Sequence, residues 1–208
     1  MIKIIKNGKV VNEGHIQPCD IVIENDKIAA IENCAKSNKA EEIIDAKDIF
    51  PGVIDTHVHF REPGMIDTAD IFSESRAAAA GGVTCYFDMP NNRPPTTSLE
   101  AINAKREIAK RSSAVNYSFY LGATTNNINE ITSLDPRTVC GVKVFMGSST
   151  GNMLVDDKNS LEEIFSMSPI PIVAHCEDMD IIKKNTNEVL ERYGKEAGVE
   201  WHPYIRSE

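Results

Sequence analysis

The sequence predicts a protein of the α/β class: a (β/α)8 TIM-type barrel of which about five βα units are present, preceded by a small N-terminal β-sandwich segment. Two observations lead to this prediction. From Gly52 onward, apolar strand-like runs alternate with helix-like segments, and this alternation indicates a parallel sheet. In addition, polar side chains that could carry chemistry recur at or just past the carboxyl ends of successive strand-like runs, where a barrel places its active site.

Residues 1–50 read as short strands separated by turns, and they form the predicted β-sandwich segment. Strand-like runs cover residues 2–5, 10–11, 20–24, 27–31 and 43–46. Asn7-Gly8 and Asn25-Asp26 are turn signals between such runs, and each predicts a hairpin. The strands of so small a piece have edges that must be covered. This leaves open a homodimer, or coverage by later chain or by a partner.

Residues 51–208 are predicted to form the N-terminal part of the barrel. Five strand-like runs alternate with five helix-like segments, the strands at 52–58, 83–89, 116–121, 139–145 and 171–175 and the helices at 69–80, 98–111, 127–133, 160–167 and 179–193. The tail around Trp201 reads as a loop. These elements also fit an open doubly wound sheet, but the polar residues at the strand ends favour the barrel. A complete barrel usually has about 250 residues, so we expect about three further βα units outside this chain.

The composition argues against several classes of protein. Apolar residues make up 41% and charged residues 25% of the chain, as in ordinary globular proteins. The net charge of −9 gives no basic surface for nucleic acid. The five cysteines are odd in number and no pair has CxxC spacing, so neither a disulfide framework nor a zinc ribbon is predicted. No run approaches the roughly 18 apolar residues of a membrane span, and the start lacks a signal-peptide core. We therefore expect a cytoplasmic protein.

The most informative stretch of the chain, Asp55–Gly64, contains two histidines two residues apart directly after an apolar run. Side chains alternate between the faces of a strand, so His57 and His59 are predicted to point to one side. Two neutral imidazoles at this spacing can hold one divalent metal ion. Arg61 is predicted to continue the same face and to offer a cation shaped for a carboxylate. The alternative is a pair of histidines on a solvated strand face.

Lys143 and His175 lie in later strand-like runs. Lys143 interrupts an apolar strand, so it either extends to solvent between helices or is buried with a lowered pKa and a nucleophilic amine. Such an amine can add carbon dioxide, and the carbamate can bridge two metal ions. His175 ends the fifth strand and is by itself equally compatible with a core histidine or a metal ligand. Two metal ions about 3.5–4 Å apart can share and activate a hydroxide.

Four blocks of sequence carry a resemblance to the amidohydrolase superfamily and, within it, to the dihydroorotase family: residues 51–64, 88–95, 141–147 and 173–177, with the first 50 residues matching only in style. The resemblance implies a metal-dependent hydrolase, dihydroorotase, that interconverts N-carbamoyl-L-aspartate and L-dihydroorotate in pyrimidine biosynthesis. In that family a metal-bridging hydroxide attacks the cyclic amide.

The same resemblance implies roles for particular residues. His57 and His59 would hold the first of two divalent metal ions, carboxylated Lys143 would bridge the ions, and His175 would hold the second. Arg61 and Asn91 would bind the α-carboxylate of the small-molecule substrate, as would be expected for these residue types. Zinc is the expected metal, although imidazole and carbamate also suit manganese and cobalt.

Some residues that the resemblance requires are not found among the sequence blocks. A further metal-binding histidine and a catalytic aspartate are expected on later strands, beyond Glu208, so no catalytic residue is assigned in this chain. His15 is expected on the surface of the small β segment, and His202 is expected to be structural.

Related enzymes remain alternatives. Dihydropyrimidinase, hydantoinase and allantoinase resemble this chain in their metal ligands, and Arg61 together with Asn91 is what separates it from them. A non-catalytic homologue that partners aspartate carbamoyltransferase is the alternative from a different class. The presence of all four metal ligands expected in this part of the barrel argues against that alternative.

Overall fold

A computed structural model describes residues 1–36, 38, 40–147 and 152–207 of the chain. The chain divides into two compact units, Met1–Gly52 and Val53–Glu208. Among the described residues, no helix combines the length and the apolar character needed to cross a membrane.

Among its described residues, the first unit contains seven short strands in two sheets. The strands are β1 (Ile2–Lys6), β2 (Lys9–Asn12), β3 (His15–Pro18), β4 (Asp20–Glu24), β5 (Lys27–Glu32), β6 (Glu42–Asp45) and β7 (Asp48–Ile49). One sheet has the order β5-β4-β1-β6 and the other the order β3-β2-β7. Val10, Cys19 and Ile21 form the small core of this unit.

The two turn signals of the first unit behave differently. Asn25-Asp26 joins β4 to β5 as the predicted hairpin, with Glu24 paired to Lys27. The hairpin predicted at Asn7-Gly8 is wrong, because β1 and β2 lie in different sheets. Asn7 adopts a φ of 61°, and its side-chain Nδ2 donates to Asp45 Oδ1 at 2.7 Å, so this turn carries the chain from one sheet to the other. The sequence reading also missed β3, which contains the exposed His15.

The described part of the second unit contains five parallel strands, each followed by a helix. The strands are β8 (Val53–Val58), β9 (Val83–Asp88), β10 (Asn116–Gly122), β11 (Gly141–Phe145) and β12 (Ile172–His175); the helices are α1 (Ile71–Ala80), α2 (Leu99–Ser112), α3 (Ile128–Thr132), α4 (Lys158–Met167), α5 (Met179–Tyr193) and α6 (His202–Ile205). The strands are hydrogen-bonded in chain order, β8-β9-β10-β11-β12. A doubly wound sheet reverses its strand order at a switch point, whereas a barrel adds each strand beside the last. The strand order is therefore that of the predicted barrel.

The core of the second unit lies between the sheet and the helices. Ile71 of α1, Ile102 of α2 and Ile164 of α4 pack in one cluster with buried strand residues such as Leu121 and Val142. All five residues of β11 are buried, as is typical of a central parallel strand covered on both faces. This buried strand carries Lys143 into the interior.

Helix boundaries follow from local capping. Ser98 caps α2 as predicted, because its side chain accepts from the amide of Ala101. Helix α4 begins at Lys158, two residues earlier than predicted, because Asp157 caps it by accepting from the amide of Ser160 at 2.8 Å. The prediction of a loop around Trp201 is wrong. A 3-10 turn at Val199–Trp201 leads into α6, and this segment is held to α5 by the stacking of Trp201 on Tyr193, with ring centroids 4.2 Å apart.

Candidate active site

The residues singled out by the sequence lie in or directly after strands of the second unit. His57 lies in β8 and His59 follows that strand, Lys143 lies in β11, and His175 is the last residue of β12. Arg61 and Asn91 lie in the loops that follow β8 and β9. In a parallel barrel the carboxyl ends of the strands share one face, and loops on that face carry the chemistry.

The two histidines of the HxH pair face each other, with ring centroids 5.4 Å apart. The Nδ1 atom of His59 lies 2.9 Å from Oδ1 of Asn91. An amide oxygen can only accept a hydrogen bond, so Nδ1 of His59 is the donor and Nε2 keeps its lone pair. Asn91 therefore fixes the tautomer in which Nε2 of His59 is free to bind a metal ion.

Both histidines of this pair favour the neutral form. Burial lowers the pKa of His57, Lys143 and His175 act in the same direction whenever they are protonated, and the carboxylate of Asp55 acts against them. Burial also lowers the pKa of His59, assisted by the guanidinium of Arg61. Neutral imidazole is the form that binds metal ions.

Lys143 is 2% exposed, and burial lowers the pKa of its amine. Its Nζ lies 5.0 Å from the centroid of the Phe145 ring. Among the described residues, no carboxylate lies within ion-pair distance of this amine. A buried lysine without a counter-charge favours the neutral, nucleophilic state, which is the state that can add carbon dioxide.

His175, like His57, is exposed, whereas His59 is half-buried and Lys143 is buried. In the pairing of β11 with β12, His175 is the register partner of Phe145. Its Nε2 atom lies 3.2 Å from Oε2 of Glu177. Glu177 also forms an ion pair with Arg206. The sequence analysis assigned no role to Glu177, although it follows His175 by two residues, the spacing that places a carboxylate beside a strand-end histidine.

The candidate metal ligands are three imidazoles and one amine. Within the described part of the chain, no cluster of three or more His, Cys, Asp or Glu residues could hold a metal ion. His57, His59 and His175 are therefore not gathered into one three-residue ligand cluster, and the fourth candidate, Lys143, would become a ligand only as a carbamate. Two neutral imidazoles, together with a buried amine that has no acidic partner among the described residues, fit part of the expected donor set.

Arg61 is not on the strand face where the sequence analysis placed it. Strand β8 ends at Val58, and Arg61 has a φ of 63°. The amide of Glu62 donates to the carbonyl oxygen of Phe60 at 2.8 Å, so Arg61 is the central residue of a γ-turn. A positive φ at the centre of such a turn is rare and strained. Arg61 follows His59 by two residues, and its charge contributes to lowering the pKa of that histidine.

The loops that carry Arg61 and Asn91 contact each other. The amide of Arg93 donates to the carbonyl oxygen of Pro63 at 3.3 Å. Gly64 has a φ of 82°, and a Cβ atom at that position would overlap the carbonyl oxygen of Arg93. Only glycine permits both this backbone conformation and this close approach.

The sequence analysis missed one buried residue below these loops. Lys105 of α2 is 1% exposed and forms an ion pair with Asp88, with Nζ and Oδ2 2.7 Å apart. The signal was present, because Lys105 shares the buried face of α2 with Ile102 and Ala109. A lysine at a core-facing helical position calls for a buried acidic partner.

Comparison with known proteins finds a matching family model and similar curated sequences. The amidohydrolase family model matches residues 49–164. An allantoinase of Desulfitobacterium hafniense is 37% identical over 191 residues, which cover 88% of this chain and 42% of the relative. A dihydroorotase of Methanosarcina mazei is 32% identical over 207 residues, which cover 97% of this chain and 44% of the relative. The chain thus spans less than half the length of these curated relatives.

Solved structures agree with the fold. An L-hydantoinase (dihydropyrimidinase) from Arthrobacter aurescens superposes with a TM-score of 0.82 at 30% sequence identity, covering 93% of this chain and 44% of that one. A D-hydantoinase structure gives a TM-score of 0.74 at 28% identity and covers 99% of this chain. These matches confirm the predicted fold class.

Proposed function

Because this chain belongs to the amidohydrolase family, we propose that it forms part of a cyclic amidase of the dihydroorotase type. The reaction would interconvert N-carbamoyl-L-aspartate and L-dihydroorotate. The match to a dihydroorotase over 97% of this chain supports the proposal. The observation that carries it is the position of Arg61 and Asn91 beside His59, because these two side chains can bind the carboxylate of dihydroorotate next to the metal site.

The proposal includes two divalent metal ions, with zinc expected, held by His57, His59, carboxylated Lys143 and His175. When bound, such ions would polarise the amide carbonyl group and lower the pKa of the water that attacks it. The neutral imidazoles and the unpaired buried amine of Lys143 support this donor set.

Asn91 can act on the metal ligand and on the substrate at once. Its Oδ1 accepts the hydrogen bond from His59, which leaves its Nδ2 hydrogens available to a carboxylate oxygen. Arg61 adds two parallel donors from its guanidinium, and among the described residues no carboxylate forms an ion pair with it. The substrate carboxylate would supply the charge that Arg61 lacks.

The test is a comparison of three ring substrates with the full-length protein that contains this chain, supplied with zinc and bicarbonate. We expect kcat/KM to be highest for L-dihydroorotate, with hydantoin and allantoin far lower. A site that has a buried charge for a substrate group discriminates strongly against analogues without that group. Equal or higher turnover of either neutral ring would contradict the assignment.

Allantoinase is the second candidate, and the 37% identity to the Desulfitobacterium hafniense enzyme favours it. Allantoin is a neutral ring, so Arg61 would then face a substrate without a carboxylate, and an unpaired charge costs binding energy. The same three-substrate comparison separates the two candidates, because an allantoinase would prefer allantoin over dihydroorotate.

A further inference from the structure

We propose that the buried ion pair between Lys105 and Asp88 is a positioning device that sets the geometry of the two loops carrying Arg61 and Asn91. It would thereby determine the preference for a ring that bears a carboxylate. The substrate preference rests on the proposed function, whereas the positioning of the loops can be measured without it.

Lys105 contacts the base of these loops through an ion pair and two hydrogen bonds. Its Nζ lies 2.7 Å from Oδ2 of Asp88, and it donates to the carbonyl oxygen of Met89 at 3.0 Å and to Oδ1 of Asn92 at 2.8 Å. The side chains of Lys105 and Asp88 are 1% and 0% exposed. Two of the ammonium hydrogens are donated to Met89 and Asn92, and Asp88 supplies the opposite charge.

The acceptors of Lys105 hold the loop that carries Asn91 on both sides. Met89 lies two residues before Asn91 and Asn92 directly follows it. The Oδ1 atom of Asn92 also accepts from the hydroxyl of Thr96 at 3.2 Å. The backbone around Asn91 is therefore fixed relative to α2, and so is the hydrogen bond from His59 to Asn91.

The same cluster holds the loop that carries Arg61 on both sides. The second carboxylate oxygen of Asp88 accepts from the amide of Phe60 at 2.9 Å. The side chain of Asn92 donates to the carbonyl oxygen of Glu62 at 3.1 Å. Phe60 and Glu62 are the neighbours of Arg61, and their mutual hydrogen bond forms its γ-turn. A strained turn persists only when its surroundings determine it, and this cluster supplies that support.

Stability alone does not account for the pair. Moving two charges from water into a protein interior is costly, and apolar residues of similar volume are often as stable or more stable. The cluster instead provides directional contacts to the two substrate-binding loops at four backbone or side-chain atoms. An error of about 1 Å in the placement of such groups can reduce catalysis by roughly 100-fold.

The experiment compares Lys105→Met, Asp88→Asn and the double variant in the full-length protein. Each single variant leaves one buried charge unpaired, whereas the double variant leaves none and retains an acceptor for the amide of Phe60. We expect the double variant to melt closer to wild type than either single variant. Its kcat/KM for dihydroorotate should remain roughly 10- to 100-fold low, as when groups that orient a site are lost. Lys110→Met, an exposed lysine on the same helix, is the matched control and should change neither quantity.

The substrate dependence separates positioning from a general loss of structure. We expect the loss on dihydroorotate to appear mainly in KM, with little change in turnover of hydantoin, so that the preference for the carboxylate falls. Full recovery of kcat/KM in the double variant, or equal losses on both rings, would overturn the proposal.

Amide hydrogen exchange provides a measurement that does not depend on activity. In Lys105→Met, exchange should accelerate at Phe60, Glu62 and Asn92, while the amides of β10 keep their wild-type rates. Unchanged exchange at the three loop amides would refute the positioning role. If the wild-type protein turns over neither ring, the proposed function fails, and these exchange rates still decide whether Lys105 positions the loops.

Discussion

Replacing Arg61 with methionine tests the proposed recognition of a carboxylate. The variant keeps the length and most of the apolar stem of the side chain but removes both donors of the guanidinium fork. Because Asn91 still holds His59 in the metal-binding tautomer through a 2.9 Å contact, the metal content should not change. The expected loss is therefore confined to the binding of a charged substrate group.

The size of the loss follows from the number of hydrogen bonds to charged groups. Each is worth about 1.5–3 kcal/mol, so a bidentate pair contributes about 3–6 kcal/mol in total. At about 1.4 kcal/mol for each factor of ten, this corresponds to roughly 10²- to 10⁴-fold in kcat/KM. Arg61 is only half buried, and solvent weakens a partly exposed pair, so we expect a loss near the lower value, about 10²-fold.

The assay measures initial rates on dihydroorotate and on hydantoin with equal metal content in each sample. Arg61→Met should lose about 10²-fold on dihydroorotate and little on hydantoin. Arg93→Met is the matched control, because Arg93 is an exposed arginine in the neighbouring loop. A similar loss on both rings, or a similar loss in the control, would refute carboxylate recognition by Arg61.

Three further predictions concern metal binding, pH and stability. Lys143→Met should leave the melting temperature of the metal-free protein equal or higher, because it removes a desolvated amine. The amount of bound metal, measured by mass spectrometry, should fall. A lower melting temperature would contradict the description of Lys143 as unpaired. Folding lowers the pKa values of His57 and His59, so as the pH falls these histidines take up protons in the unfolded chain before they do so in the folded protein. The free energy of unfolding of the metal-free protein, measured by urea titration, should therefore decrease as the pH falls below about 6.5. Replacing both histidines with glutamine should flatten that slope, and an unchanged slope would exclude them as its source. Asp88→Ala should lower the free energy of unfolding by about 3–5 kcal/mol, because it leaves Lys105 charged and buried; a loss below about 1 kcal/mol would show that the pair is not held in a dry interior.

The barrel could be predicted because its signals are local and repeated. Gly81-Gly82 follows α1, Ser98 caps α2, and the bounds of α5 agree with the structure. The pairing of strands that are distant in sequence could not be predicted from such local signals. Asn7-Gly8 has the composition of a hairpin turn, but β1 pairs with β4 and β6 instead. Nothing in a short turn specifies which of several similar strands will be its partner, so the first unit was predicted less well than the second.

The position of Arg61 shows where a periodic pattern stops being informative. The alternation of a strand brings His57 and His59 together, but it was extended one step too far, past the end of β8 at Val58. The chain turns at Arg61 because the amide of Phe60 is bound by Asp88 rather than by a neighbouring strand. That contact joins residues 28 positions apart in the sequence, so no local pattern could reveal it.

The two buried lysines of the second unit illustrate why burial alone does not identify a reactive amine. Lys105 and Lys143 are 1% and 2% exposed, and burial lowers the pKa of both. Asp88 and two further acceptors surround Lys105, and this environment holds its amine as a charged donor, with its lone pair unavailable for bond formation. Lys143 faces an aromatic ring and, among the described residues, has no carboxylate within ion-pair distance. The environment of each lysine should therefore determine whether its amine reacts with carbon dioxide. An acidic residue introduced beside Lys143 would hold it as an ammonium ion and should abolish the uptake of ¹³C-labelled carbon dioxide that NMR detects. Lys105→Met should leave that uptake intact.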